Sequence, residues 1–153
     1  MLFKTHFSFS ILIFLLLFST QQNWWIFLAG ILISTALVDI DSKQSKIGKY
    51  KIFRPLQLFL KHRGIMHTLL AAIILTLLST MINIQFAFAF FIGYMGHLTL
   101  DILTRQGIKL FYPFSNKKIR IGVKTNGYTE IIIFSVLTTI NLIIILLTIY
   151  NLM

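Results

Sequence analysis

Five long apolar stretches divide this chain, and they constrain its fold more tightly than any other feature. They run over about 5–20, 24–39, 66–84, 85–103 and 129–150. A bilayer core of about 30 Å takes around 20 helical residues, so each stretch reads as a transmembrane helix, the first two being short. The break Ile82-Asn83-Ile84-Gln85 between the third and fourth reads as the turn of a helical hairpin. Composition agrees. Of 153 residues 57% are hydrophobic and only 12% charged, with a mean hydropathy of +0.85, whereas a soluble domain carries about a quarter charged residues. The expected fold is an all-α membrane protein, a bundle of about five transmembrane helices forming one integral membrane domain over 1–153. With no cysteine there are neither disulfides nor thiolate metal sites. Phe18-Ser19-Thr20 is a poor match to a small-x-small cleavage site, so the first stretch reads as a span and not a cleaved signal.

The basic residues set the expected orientation. One of the 14 (Lys4) precedes the first span; the rest fall in the segments at about 41–64 and 105–127. The opposite connections, at Gln21-Gln22-Asn23 and Asn83, hold none. Positive residues stay cytoplasmic, which puts the N-terminus and both long loops inside and predicts the cytoplasmic (inner) membrane as location. The first loop interleaves lysines with Ile47, Tyr50, Ile52, Phe53 and Leu56, a pattern suited to lying in a membrane interface. In the second, Lys118-Ile-Arg-Ile-Gly-Val-Lys alternates apolar and basic residues as a short hairpin or strand would. Topology and attraction to anionic lipids account for the net charge of +10. The expected partners are therefore membrane lipids and a small-molecule or lipid substrate, and not nucleic acid, for which no recognition fold is present.

The function is written in the scarce polar residues. There are four acidic residues and four histidines, and all sit at the cytoplasmic helix ends: His6, Asp39, Asp41, His62, His67, His97, Asp101 and Glu130. Ionisable groups at the membrane boundary are costly unless they face a cavity, a partner or a metal. His97 and Asp101 lie four apart on one helix face, and Arg63 and His67 share that spacing. Asp39 and Asp41 can both point inward only if the helix ends between them. Glu130 sits in a first helical turn, where the macrodipole favours it, and is left out of the set. The other seven residues offer seven N/O donors. Such a set suits Zn²⁺ first, and Mn²⁺ or Fe²⁺ as well, as one to three divalent ions.

The motifs around these residues resemble a known family. His62-Arg63-Gly64-Ile65-Met66-His67-Thr68 resembles the HRGxTHS signature of the YdjM-like membrane-bound metal-dependent hydrolases. Thr5-His6 is similar to the family's early histidine, Val38-Asp39-Ile40-Asp41 to its PDxD element, and Gly96-His97-Leu98-Thr99-Leu100-Asp101-Ile102-Leu103-Thr104 to its GHxxxDxLT element. Gly107 to Ser115 matches the segment that follows. Val38, Met66 and Thr68 depart from the usual proline, threonine and serine, while every histidine and aspartate of the pattern is kept. The His-x-x-x-Asp element is also similar to one in zinc-dependent phospholipase C and P1-type nucleases, which points toward phosphoesters.

The resemblance implies a metal-dependent hydrolase at the cytoplasmic membrane interface, acting on a phosphoester or lipid head group. His6, Asp39, Asp41, His62, His67, His97 and Asp101 would be the ligands. Asp39 or Asp41 would supply a general base, Arg63 would grip an anionic group, and Thr68 and Thr104 would orient the ligands. There is no HExxH, no G-x-S-x-G and no P-loop to suggest another chemistry. The rivals are a structural His/Asp metal staple and a metal carrier. A carrier needs polar groups at mid-membrane, and the spans offer only hydroxyls and a few amides there.

Overall fold

The computed structural model describes residues 1–42, 45–46, 48–59 and 63–152. Lys43, Ile47, Leu60, Lys61 and His62 thus lie outside the described residues, as does the side chain of Leu56. The described residues form α1 (Phe3–Leu17), α2 (Trp24–Val38), the short α3 (Arg54–Phe59), α4 (Leu69–Ser79), α5 (Ile84–Leu103) and α6 (Tyr128–Leu152). Among them there is no strand, so the protein is all-helical, as expected. Trp24–Asp41, Ile84–Leu103 and Tyr128–Asn151 are long and apolar enough to cross a membrane; α1 and α4 are apolar but shorter.

The third apolar stretch departs most from expectation. It was expected to be helical from about residue 66, yet α4 begins only at Leu69 and spans 11 residues. Thr68 is the reason: its extended backbone stops the helix, and its Oγ1 accepts the Ala71 N–H at 3.1 Å. At the other end, Asn83 accepts the Gln85 and Phe86 N–H groups and opens α5, which makes the expected hairpin turn. The second loop gives isolated bridges, Thr104 with Val123 and Ile108 with Ile119, in place of the expected hairpin strands. These bridges tuck Ile108 into the core beside Val38, Ala72, Tyr94 and Leu98.

Lipid tails are as apolar as leucine, so helices in a bilayer associate through close packing and hydrogen bonds. This bundle uses both. A Cβ on Gly30 would stand 2.7 Å from the Phe86 carbonyl, and one on Gly93 would stand 2.7 Å from the Ile31 carbonyl. Glycine at these two positions is what lets α2 and α5 approach backbone to backbone. Polar contacts attach α1: Ser10 to Thr35 of α2 at 2.7 Å, and the Ser8 carbonyl to Asn141 of α6 at 2.9 Å. Glu130 is buried and receives the Leu2 and Asn126 N–H groups and the Thr5 hydroxyl. It is thus the clasp between α6 and the start of α1, a more specific task than the macrodipole role expected of it.

A candidate metal centre at one end of the bundle

Four separate chain segments deliver the ionisable residues to one place. α2 ends at Val38, and a single 3₁₀ turn, Asp39–Asp41, follows. The helix thus ends before both aspartates and not between them as the two-residue spacing suggested, and the 3₁₀ turn carries the pair. Arg63 lies before α4 with φ 58°, in the left-handed region that is costly for a side-chain-bearing residue. That turn aims its N–H at Asp41 Oδ2, 3.1 Å away. Arg63 and His67 therefore do not share a helix face, contrary to their spacing, because the chain between them is this turn followed by the 3₁₀ turn Ile65–His67. Tyr94 of α5 donates its hydroxyl to the Met66 carbonyl and pins that turn down. His6 comes from the first turns of α1, and His97 and Asp101 from the last turns of α5.

Asp101 is the hub. Its Oδ1 lies 3.4 Å from His6 Nε2 and 3.1 Å from Arg63 Nη2, and the Met1 ammonium touches it at 2.8 Å. Its Oδ2 lies 3.3 Å from His67 Nε2 and 3.8 Å from His97 Nε2. Asp39 Oδ1 stands 3.8 Å from His67 Nε2 and 3.7 Å from His97 Nε2. The His6 and His97 rings stack at 3.8 Å. His6, His67, His97 and Asp101 are almost wholly buried, and Asp39 is partly exposed.

These spacings suit a small cation. His6, His97 and Asp101 form one group of donor atoms within 4.8 Å of one another, and Asp39, His67 and His97 form another; His97 belongs to both. Separations of 3.3–3.8 Å are long for hydrogen bonds. They are close to the roughly 3.3 Å edge of a tetrahedron with bonds of about 2.0–2.1 Å. The His97 tautomer also fits. Its Nδ1 lies 3.0 Å from the Thr35 carbonyl, which can only accept, so the neutral ring keeps its proton there and turns a lone pair on Nε2 toward two carboxylates. That buried Nε2 has no hydrogen-bond partner among the described residues, and neither has His6 Nδ1.

Asp41 belongs to neither group. It stands behind His67, with Oδ2 3.3 Å from Nδ1, where a carboxylate orients the ring and raises its basicity. Burial opposes a charge on His67, yet the neighbouring Asp101 and Asp41 carboxylates outweigh it and hold its pKa up at about 9. A cation taking His67 Nε2 must displace that proton.

The structure thus brings together Asp39, Asp41, Arg63, His6, His67, His97, Asp101 and Thr104. Thr104 Oγ1 accepts from Arg63 Nη1 at 3.0 Å and donates to the Asp101 carbonyl, so it ties Arg63 to the end of α5. Thr68 does not join them. Its hydroxyl is used on the Ile65 carbonyl and the Ala71 N–H, which makes it a helix cap. His62 lies outside the described residues. Sequence reasoning missed the Thr35 carbonyl and the Tyr94 hydroxyl. The four-residue step from Thr35 to Asp39 and the three-residue step from Tyr94 to His97 were the available signals.

Comparison with known proteins agrees with these motifs. The family model described as YdjM inner membrane protein matches residues 1–153. The chain belongs to this family. Two relatives, both named inner membrane protein YdjM, from Escherichia coli (strain K12) and Shigella flexneri, are each 30% identical over 104 residues, which is 61% of this chain and 52% of the relative. The chain spans about half the length of the curated relatives it matches. No solved structure matches it. Family membership and three apolar helices of spanning length mark a protein of the inner membrane.

Proposed function

We propose that this chain is a metal-dependent hydrolase working at the cytoplasmic face of the inner membrane on a phosphoester or a lipid head group. One observation carries the reading: two three-donor groups sharing His97 are buried together at the end of the bundle where the basic residues gather. That end is cytoplasmic by the distribution of positive charge, with five apolar helices crossing the bilayer. His6, Asp39, His67, His97 and Asp101 would hold the ion or ions, with Zn²⁺ favoured by the N/O donor set and Mn²⁺ or Fe²⁺ as alternatives.

A divalent cation held there would lower the pKa of a water molecule and polarise the bond to be broken. The protein does the rest. Asp39 is the least buried carboxylate of the cluster and lines a cavity; its Oδ1 faces His67 and His97, which leaves Oδ2 to take a proton from the attacking water and return it to the departing alkoxide. The water's oxygen adds to phosphorus, the ester P–O bond breaks, and the proton leaves with the alcohol. Arg63 is held by Thr104 and Asp101 at the edge of the same cavity, where it can face an anionic group.

A second reading has its own support. The near-complete burial of four of the donors also suits a metal that only staples α1, α4 and α5 together. Elemental analysis of detergent-purified protein, with Asp101→Asn and His67→Ala beside wild type, separates the two. A hydrolase predicts variants that fold, lose metal and lose turnover in a phosphoester screen. A staple predicts metal without turnover and variants that unfold. Absence of metal after reconstitution with each candidate ion contradicts both.

A further inference from the structure

We propose that the cavity beside Asp39 is a receptor for a phosphate monoester, an inference that rests on the hydrolase reading and names its substrate class. The cavity is about 380 Å³ and is lined by Lys4, Lys46 and Arg63 together with Asp39, Gln106 and Thr125. That volume lies in the range of small-ligand sites. It adjoins the candidate metal centre directly, since Asp39 belongs to both.

The charges favour a dianion. Arg63 is already committed in part to Asp101, and Asp39 would be neutralised by a cation. Lys4 and Lys46 remain. Neither forms an ion pair among the described residues. Each is steadied over an aromatic ring, Lys4 Nζ 4.8 Å from the centre of Phe134 and Lys46 Nζ 5.5 Å from that of Phe3. A cation–π contact positions an ammonium without cancelling its charge. Two uncancelled positive charges match a phosphate monoester, which carries about −1.5 to −2 at neutral pH, better than a diester with its single charge. The cavity at the far end of the bundle makes the contrast. It is about 440 Å³, is lined by Phe18, Phe27, Ile84 and Phe88 with two glutamines, and holds no charged residue.

A phosphate monoester reaches this site either in solution or as the head group of a lipid, and the test separates them. Binding of inorganic phosphate, of glycerol 3-phosphate and of dimethyl phosphate, a soluble diester, to the full chain in detergent is measured by calorimetry, with and without chelator. Binding of vesicles containing phosphatidic acid is compared with that of vesicles containing phosphatidylglycerol, a diester. The expected result is preference for the monoester in at least one arm. It should weaken about tenfold in the double variant Lys4→Gln/Lys46→Gln, since each exposed charge contact contributes modestly, and return with Lys4→Arg/Lys46→Arg. Preference in the vesicle arm alone assigns a lipid substrate, and in the soluble arm a free one. Equal affinity for monoester and diester, or a double variant that binds like wild type, overturns the proposal. Metal content of the same samples keeps the two claims apart. Charge-dependent monoester binding in a protein that takes up no metal sinks the hydrolase and leaves the receptor, while a metal-loaded protein blind to phosphate does the reverse.

Discussion

Helices α5 and α6 are both long and apolar, yet ten residues of α5 are buried inside the molecule and, among the described residues of α6, only Glu130, Leu137 and Asn141. Apolar content does not separate them; small and polar side chains do. α5 presents Ala87, Ala89, Gly93 and Gly96 to its neighbours and ends in His97 and Asp101. α6 presents Ile132, Leu142, Leu146 and their like outward and touches α1 through Thr138 and Asn141. Since lipid solvates leucine as well as protein does, α6 gains little by burying that face. α5 is drawn inside by close backbone approach and by polar groups that lipid cannot satisfy.

The sharpest way to break the contrast is to remove the hub of α5. Asp101→Ala should abolish cation binding and cost about 3–5 kcal/mol of stability, because it strands Arg63 and the histidines in a buried site. Leu146→Ala on the exposed face of α6 should change stability by less than about 0.5 kcal/mol. Thermal unfolding in detergent compares the two directly. Next in size is Gly93→Leu, which drives a side chain into the Ile31 backbone and should cost about 1–3 kcal/mol in the same assay.

Acidity sharpens the comparison further, because protons compete with a cation for the donors at the α5 end. The pKa of His67 is raised to about 9, so through neutral pH the proton sits on a nitrogen that a cation must take. Cation affinity should fall as pH falls, by up to about tenfold per pH unit for each proton displaced, and calorimetry in buffers of different ionisation heat counts those protons. An affinity that rises with acidity contradicts the role given to His67. The smallest effect belongs to the α1–α6 contact. Asn141→Leu removes the bond to the Ser8 carbonyl and should cost about 0.6 kcal/mol, the average for a hydrogen bond between transmembrane helices.

Much of this was legible beforehand because scarcity carries information. In a chain with four aspartates and glutamates, each polar residue at a helix end needs a reason. That His97 and Asp101 share a helix face followed from spacing alone. The reading of Arg63 with His67 failed because it assumed a helix where a left-handed residue and a 3₁₀ turn intervene, and a single φ angle leaves no periodic trace. Thr68 misled for the opposite reason: a hydroxyl beside a ligand motif has the same letter whether it caps a helix or orients a ligand. Asp41 and Asp39 likewise look alike in sequence. Only their places, Asp41 at Nδ1 of His67 and Asp39 on the Nε2 side, tell them apart.

The central claim is that the buried end of α5 holds a divalent cation. Its most direct test is metal content per chain by elemental analysis of wild type, Leu146→Ala and Asp101→Asn, each checked for folding by circular dichroism. The account predicts at least one tightly held ion in wild type and in Leu146→Ala, and none in folded Asp101→Asn. Wild-type protein that takes up no Zn²⁺, Mn²⁺ or Fe²⁺ on reconstitution would contradict it.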